Sequence, residues 1–357
     1  MIIVFFVAGL ALLIVGAELL VRGASNLAAA LGVPSLIIGL TVVAFGTSAP
    51  ELAVSVKAAW GGQANIAVGN VVGSNIFNVL FILGLSALIV PLVVASQLIR
   101  IDVPLMLGAS VLLLLLGLDG TIGRLDGVLL FAGILAYLRL LFVQSRKEKA
   151  LQQDPDAPPA PLGTSALLRD LLYIAAGLGM LVLGSRWLVD SAVSMAQLLG
   201  VSDMVIGLTI IAAGTSLPEV VTSIMASIKG ERDIAVGNVV GSNIFNIFAV
   251  LGLASIVAPQ GIGVSTEALR FDIPFMIAVA LACLPIFFTG GLIKRWEGGL
   301  LLAYYVAYTA YLVLAAGKSD SVTLLRDGML YFAAPLTAVT LLVLAAQHHL
   351  LERRKQV

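Results

Sequence analysis

The chain has 357 residues, 60% hydrophobic and 11% charged, against roughly a quarter charged in soluble domains, so a water-soluble globule is excluded. Twenty basic and twenty acidic side chains cancel, which removes the footprint expected of a nucleic-acid or anionic-surface partner. A single cysteine, Cys283, rules out an internal disulfide framework, and with only His348 and His349 as histidines no zinc or haem ligand set exists.

Crossing about 30 Å of hydrocarbon takes about 20 apolar residues in a helix. Eleven windows qualify, near 2–21, 36–60, 66–89, 103–118, 126–143, 169–189, 204–228, 234–257, 273–290, 298–316 and 327–346. The first has no basic leader and no small-residue cleavage pattern, so it reads as a span and not a signal peptide. Connections are short except at 144–169, where SRKEK followed by DPDAPPAP predicts an extended tether. The fold class expected is an all-α polytopic membrane protein. A first five-helix half would occupy 1–143, a cytoplasmic linker 144–168 and a second half 169–316, with an extra transmembrane helix and tail at 317–357.

Residues 39–90 laid over 207–258 give 28 identities in 52 positions, including an unbroken IAVGNVVGSNIFN at 66–78 and again at 234–246. This is a duplicated unit. Weaker echoes extend it: Gly16 and Gly184, Gly32 and Gly200, the R-x-D of Arg100/Asp102 against Arg270/Asp272, and the R-x-[DE]-G of Arg124 against Arg295. Five spans per unit is an odd number, so the second copy enters the membrane from the opposite side and the repeats are inverted. With the N-terminus outside, fourteen Lys and Arg residues fall on inner loops and ends and six on outer ones. The positive-inside bias therefore predicts an outer N-terminus and a cytoplasmic C-terminus.

Within the second span lies G-T-S-A-P-E at 46–51, and within the seventh G-T-S-L-P-E at 214–219. A carboxylate at mid-membrane costs at least ~2.5 kcal/mol on insertion scales and by default marks a pathway or binding site. Neither Glu51 nor Glu219 has a Lys or Arg beside it at this depth. Pro50 and Pro218 lack an N–H and displace the carbonyl four residues back, freeing oxygens around Gly46 and Gly214. Such a break is tolerable only where it lines a polar cavity. At helical spacing Thr47, Glu51 and Ser55 share a face with Ser48 beside them, as do Thr215, Glu219 and Ser223 with Ser216. Asn70, Ser74 and Asn78 form a stripe in the third span, matched by Asn238, Ser242 and Asn246 in the eighth; Asn70 and Asn238 also fit a role as packing hydrogen bonds. Gly69/Gly73 and Gly237/Gly241 are small-xxx-small pairs that permit close helix approach. Every candidate ligand is oxygen, which suits hard cations: Ca²⁺ takes ~6–8 oxygens. Two glutamates offset one divalent ion, and the same cage can hold Na⁺ in competition.

These paired segments resemble the alpha-repeats of the cation/Ca²⁺ exchanger superfamily, specifically its prokaryotic sodium/calcium exchangers, over about residues 1–316. The resemblance implies that Glu51 and Glu219 are carboxylates shared by Ca²⁺ and Na⁺, with the Thr47 and Thr215 carbonyls completing the calcium site. It further implies that the Ala44 and Ala212 carbonyls, Ser48, Ser216, Ser74 and Ser242 hold sodium, with Asn78 and Asn246 at the centre. Transport would proceed by alternating access as the first and sixth helices slide past the rest. Potassium-dependent relatives carry Asp where Asn246 stands, which argues against K⁺ co-transport, and the short linker has no room for the calcium-sensing domains of animal exchangers. The eleventh span lies outside the family's core.

The function expected is Na⁺/Ca²⁺ antiport in a bacterial plasma membrane, serving calcium homeostasis, with no cofactor, no covalent chemistry and no protein partner evident. No phosphate-binding GxxxxGK[ST] loop is present. The nearest alternative is a Ca²⁺/H⁺ antiporter using the same two glutamates, which the neutral hydroxyl and amide ring disfavours. A passive channel is disfavoured by the inverted repeat, and an intramembrane hydrolase by the absence of a membrane-depth histidine. Glu18 with Arg22 and Arg186 with Asp190 read as interfacial i,i+4 pairs, and both R-x-D motifs as headgroup-level residues.

Overall fold

The computed structural model describes residues 1–152, 164–199, 212–288, 290–317 and 321–340. The first span is α1, Ile2–Leu31, which stops where Gly32 turns left-handed at φ 62° and its N–H caps the Ala28 and Ala29 carbonyls. The second, α2, is broken: Ser35–Thr47 and Ala49–Trp60 meet at a 45° bend. Then follow α3 (Ile66–Ile89), α4 (Leu98–Gly117), α5 (Arg124–Lys147) and α6 (Ser165–Leu198). The seventh span, α7, is described from Ala212–Gly214 and Leu217–Ile228; the first half of its expected window lies outside the described residues. The body closes with α8 (Arg232–Val257), α9 (Ala268–Phe288) and α10 (Arg295–Ala315). Among the described residues, eight continuous helices and the bent α2 are long and apolar enough to cross a membrane.

Which helices form the centre follows from burial. In α3 and α8, 72% and 89% of the most apolar stretch is buried inside the protein, against 22% in α1 and α6 and 11% in α10. Helices that present apolar side chains outward face lipid, and those that carry the polar stripes are enclosed by protein.

Lipid gives no hydrophobic drive for helix association, so close contact depends on small residues. A Cβ on Gly9, Gly16 or Gly23 of α1 would come within 2.8 to 2.9 Å of the carbonyl oxygens of Gly184, Gly177 or Asp170 in α6, so these two helices pack backbone against backbone. The R-x-[DE]-G echo has the same kind of explanation. Asp126 and Glu297 cap the helix starts of α5 and α10, accepting from the N–H groups of Gly123 (2.8 Å) and Lys294 (2.7 Å). The following Gly127 and Gly298 lie against the Gly252 and Gly84 carbonyls of α8 and α3. Of the small-residue pairs expected in the central helices, Gly237 and Gly241 do meet α2, at Leu36, Leu40 and Ala44. A Cβ on Gly69 or Gly73 would meet nothing within 4 Å among the described residues; of the partners that the repeat offset gives, 204 and 208 lie outside them.

Two short antiparallel ribbons tie the halves together, and both cross between repeats. Leu92 pairs Ile293 and Val93 pairs Leu292; at the other end of α4, Thr121 pairs Gly263 and Ile122 pairs Ile262. No periodicity in the sequence announced these two-residue strands.

Three expectations are corrected. The segment read as an unfolded tether from 144 is helical to Gln152, since nothing before Pro155 breaks the helix, and a helix resumes at Thr164. Asp102, expected at the headgroups, is fully buried and accepts from Tyr137 Oη (2.9 Å) and Gln97 Nε2 (3.2 Å). Glu18 pairs with Lys229 across the fold (2.8 Å), while Arg22 lies over the Tyr173 ring. After α10 a helix runs from Ser321 to 340, and the Tyr304 and Thr337 hydroxyls meet at 2.7 Å. The last residues of the expected eleventh span lie outside the described residues.

Candidate ion-binding site

The break in α2 is set by Ser48 (φ −80°, ψ 6°) and that in α7 by Ser216 (φ −90°, ψ 8°). Each is the cap of the helix that follows, so Pro50 and Pro218 fall in a first turn, where a missing N–H costs nothing. Glu51 and Glu219 then stand in that same first turn, where free N–H groups and the helix dipole favour negative charge. The proline therefore both breaks the span and places the carboxylate. Opposite them, α3 and α8 change from α- to π-helical winding at Asn78 and Asn246, each for six residues. Wide turns of this kind concentrate at functional sites, and nothing in the sequence pattern predicted them.

The two repeats complete each other's polar groups. Ser216 Oγ donates to Glu51 Oε1 (2.8 Å) and lies 3.2 Å from Ser74 Oγ, and Ser48 Oγ donates to Glu219 Oε1 (3.3 Å). Thr47 Oγ1 donates to Asn238 Oδ1 (3.0 Å) and Thr215 Oγ1 to Asn70 Oδ1 (3.4 Å). Asn238 donates to Ser223 Oγ and Asn70 to Ser55 Oγ, each at 3.0 Å. Asn70 and Asn238 thus brace helices, as the packing reading of them anticipated.

Glu51, Glu219, Thr47, Ser48, Ser216, Ser74, Ser242, Asn78 and Asn246 are all buried. Five of their oxygens have no hydrogen-bond partner among the described residues: Glu51 Oε2, Glu219 Oε2, Asn78 Oδ1, Asn246 Oδ1 and Ser242 Oγ. Buried polar atoms normally find partners, and five oxygens without one, from two carboxylates, two amides and a hydroxyl, are the donor type that suits a hard cation. The carbonyls near the two breaks have the following partners. Ala44 O accepts the Ser48 N–H (3.1 Å), with Thr47 Oγ1 at 3.4 Å, and Gly214 O accepts Ser185 Oγ (2.7 Å). Ala212 opens the short helix before the second break. A cleft of about 630 Å³ between α2 and α6 is lined by residues including Phe45, Gly46, Ala49, Leu178 and Arg186 and by none of the candidate ligands.

Asn75 and Asn243 hold two of these amides and lie off the i,i+4 stripe, because each stands one position past its serine. Asn78 Nδ2 donates to Asn243 Oδ1 (2.9 Å) and Asn246 Nδ2 to Asn75 Oδ1 (3.0 Å). The signal available was the unbroken identity of 66–78 with 234–246, which repeats these asparagines as faithfully as the ligand candidates.

An inverted helical repeat, two helices broken just before a glutamate, and buried oxygens of both repeats without partners among the described residues define a membrane protein of the secondary-transporter class. The chain belongs to the sodium/calcium exchanger protein family, whose model matches residues 1–143 and 170–314. It is 36% identical over 338 residues to the sodium/calcium exchanger MaX1 of Methanosarcina acetivorans, covering 85% of this chain and 96% of that one. It is 40% identical over 284 residues to the inner membrane protein YrbG of Escherichia coli, covering 78% and 86%. Among solved structures, the sodium-calcium exchanger NCX_Mj soaked with 10 mM Na⁺ and 10 mM Sr²⁺ matches with a TM-score of 0.75 and 31% identity, over 87% of this chain and 97% of that one.

Proposed function

We propose that the protein exchanges Na⁺ for Ca²⁺ across a bacterial inner membrane by alternating access at one site built on Glu51 and Glu219. The observation that carries this reading is the crossed arrangement, in which each carboxylate is held by a serine of the opposite repeat and keeps one buried oxygen without a partner among the described residues. Thr47, Thr215, Ser48, Ser216, Ser74, Ser242, Asn78, Asn246 and the carbonyls of Ala44 and Ala212 complete the proposed ligand set for the two ions. Two buried carboxylates left charged and unpaired are too costly to carry across, so reorientation requires their charge to be offset; in this reading Ca²⁺ or Na⁺ does so, and exchange follows. No bond is made or broken.

The Lys and Arg distribution supports an outer N-terminus and a cytoplasmic C-terminus, and likeness to an inner membrane protein of E. coli supports the location. The helix after Ser321 is read as an additional span. The test is ⁴⁵Ca²⁺ uptake into proteoliposomes under outward Na⁺, H⁺ or K⁺ gradients. Uptake driven by sodium alone is the expected result, and uptake driven only by protons replaces it with Ca²⁺/H⁺ antiport at the same glutamates.

A further inference from the structure

The amides of Asn78 and Asn246 each have a nitrogen that repels a cation and an oxygen that binds one, so their orientation decides whether they help or hinder. Their neighbours force the choice. The backbone carbonyl of Asn243 only accepts, and Asn75 Nδ2 donates to it (3.2 Å); Asn75 Oδ1 must then face Asn246, which meets it with Nδ2 (3.0 Å). The mirror chain holds as well: Asn243 Nδ2 donates to the Asn75 carbonyl (3.3 Å) and approaches Met106 Sδ (3.4 Å), which turns Asn243 Oδ1 to accept from Asn78 Nδ2 (2.9 Å). With both nitrogens engaged, Asn78 Oδ1 and Asn246 Oδ1 are the atoms left unpartnered among the described residues. Asn75 and Asn243 are each only 2% exposed, so water does not compete for these bonds.

We propose that Asn75 and Asn243 are positioning residues: reaching across between repeats, they lock the Asn78 and Asn246 amides with oxygen toward the transported cation. The lock rests on the site reading given above and adds a role that touches no ion. Because each lock spans α3 and α8, it also ties the orientation of a ligand in one half to a side chain of the other, which is itself held by a backbone carbonyl of the ligand's own helix. Removing either asparagine frees the opposite amide to turn, presenting NH₂ in place of oxygen for part of the time.

The test is a double-mutant cycle on the half-saturating Ca²⁺ concentration for uptake into proteoliposomes. Asn243→Ala is expected to raise it about tenfold, as loss of a residue that orients a metal ligand does, with the maximal rate within about twofold. In an Asn78→Ala background the same substitution is expected to add nothing, because the amide it orients is gone. Asn75→Ala read against Asn246→Ala is the mirror cycle and serves if Asn243→Ala does not fold. Losses that multiply, or a fall in maximal rate at unchanged half-saturation, overturn the lock. Failure of the unmutated protein to transport Ca²⁺ overturns the site reading instead, so the two are told apart.

Discussion

The centre of the molecule and its flanks treat the same duplication differently. At the centre, where 66–78 and 234–246 are identical, contacts match in pairs: Ser216 to Glu51 and Ser48 to Glu219, Asn78 to Asn243 and Asn246 to Asn75. At the flank the R-x-D pair is kept in sequence, but its twins have drifted in their contacts. Asp102 is fully buried with two donors, whereas Asp272 is partly exposed with one long bond from Tyr308 (3.4 Å), and Glu267 stands where Gln97 stands in the first half. A residue that completes the other repeat's site must be kept in both copies, while one that serves only its own helix pair is free to change.

The comparison breaks first at the glutamates. Glu51→Gln and Glu219→Gln are each expected to lower Ca²⁺ uptake at least about 100-fold, since each removes one of two charges offsetting a divalent ion. A variant retaining a tenth of the activity would mean that one half works alone.

Packing comes next. Gly177→Ala puts a methyl 2.7 Å from the Gly16 carbonyl oxygen, while Gly179, two residues along the same helix, has nothing within 4 Å. The first is expected to cost about 1–3 kcal/mol and the second to be neutral or slightly stabilising, read as thermal unfolding midpoints of purified protein. Equal midpoints would dissolve the backbone-to-backbone contact of α1 and α6.

The flank asymmetry predicts a smaller difference. Tyr137→Phe strips a buried carboxylate of a donor and is expected to cost about 1–3 kcal/mol, and Tyr308→Phe clearly less; the same midpoints rank them. Least affected is the exposed Glu18–Lys229 pair: Glu18→Gln is expected to leave uptake within about twofold, and a loss as deep as that of Glu51→Gln would place Glu18 in the transport machinery.

Much of this was legible in the residues. The duplication, its inversion, the broken helices at Pro50 and Pro218 and the glutamates beside them follow from spacing and identity, because membrane insertion penalises every polar residue that has no purpose. Partners across the repeats were not legible, since nothing in one helix states which helix faces it, and Asn75 and Asn243 also stand off the i,i+4 stripe that marks the other polar residues. Winding was hidden too, because π-helical turns at Asn78 and Asn246 depend on the surrounding packing and not on local propensity. The burial of Asp102 was not legible, because a carboxylate near a span's end looks solvated until the Tyr137 hydroxyl of another helix is seen to donate to it.

The decisive quantity is the number of ions one chain holds. Equilibrium binding of Ca²⁺ to purified protein in Na⁺-free buffer is expected to reach one ion at the shared site, to be displaced by added Na⁺, and to vanish in both Glu51→Gln and Glu219→Gln. Two ions bound, with each substitution removing one and sparing the other, would contradict a single site built jointly by both repeats.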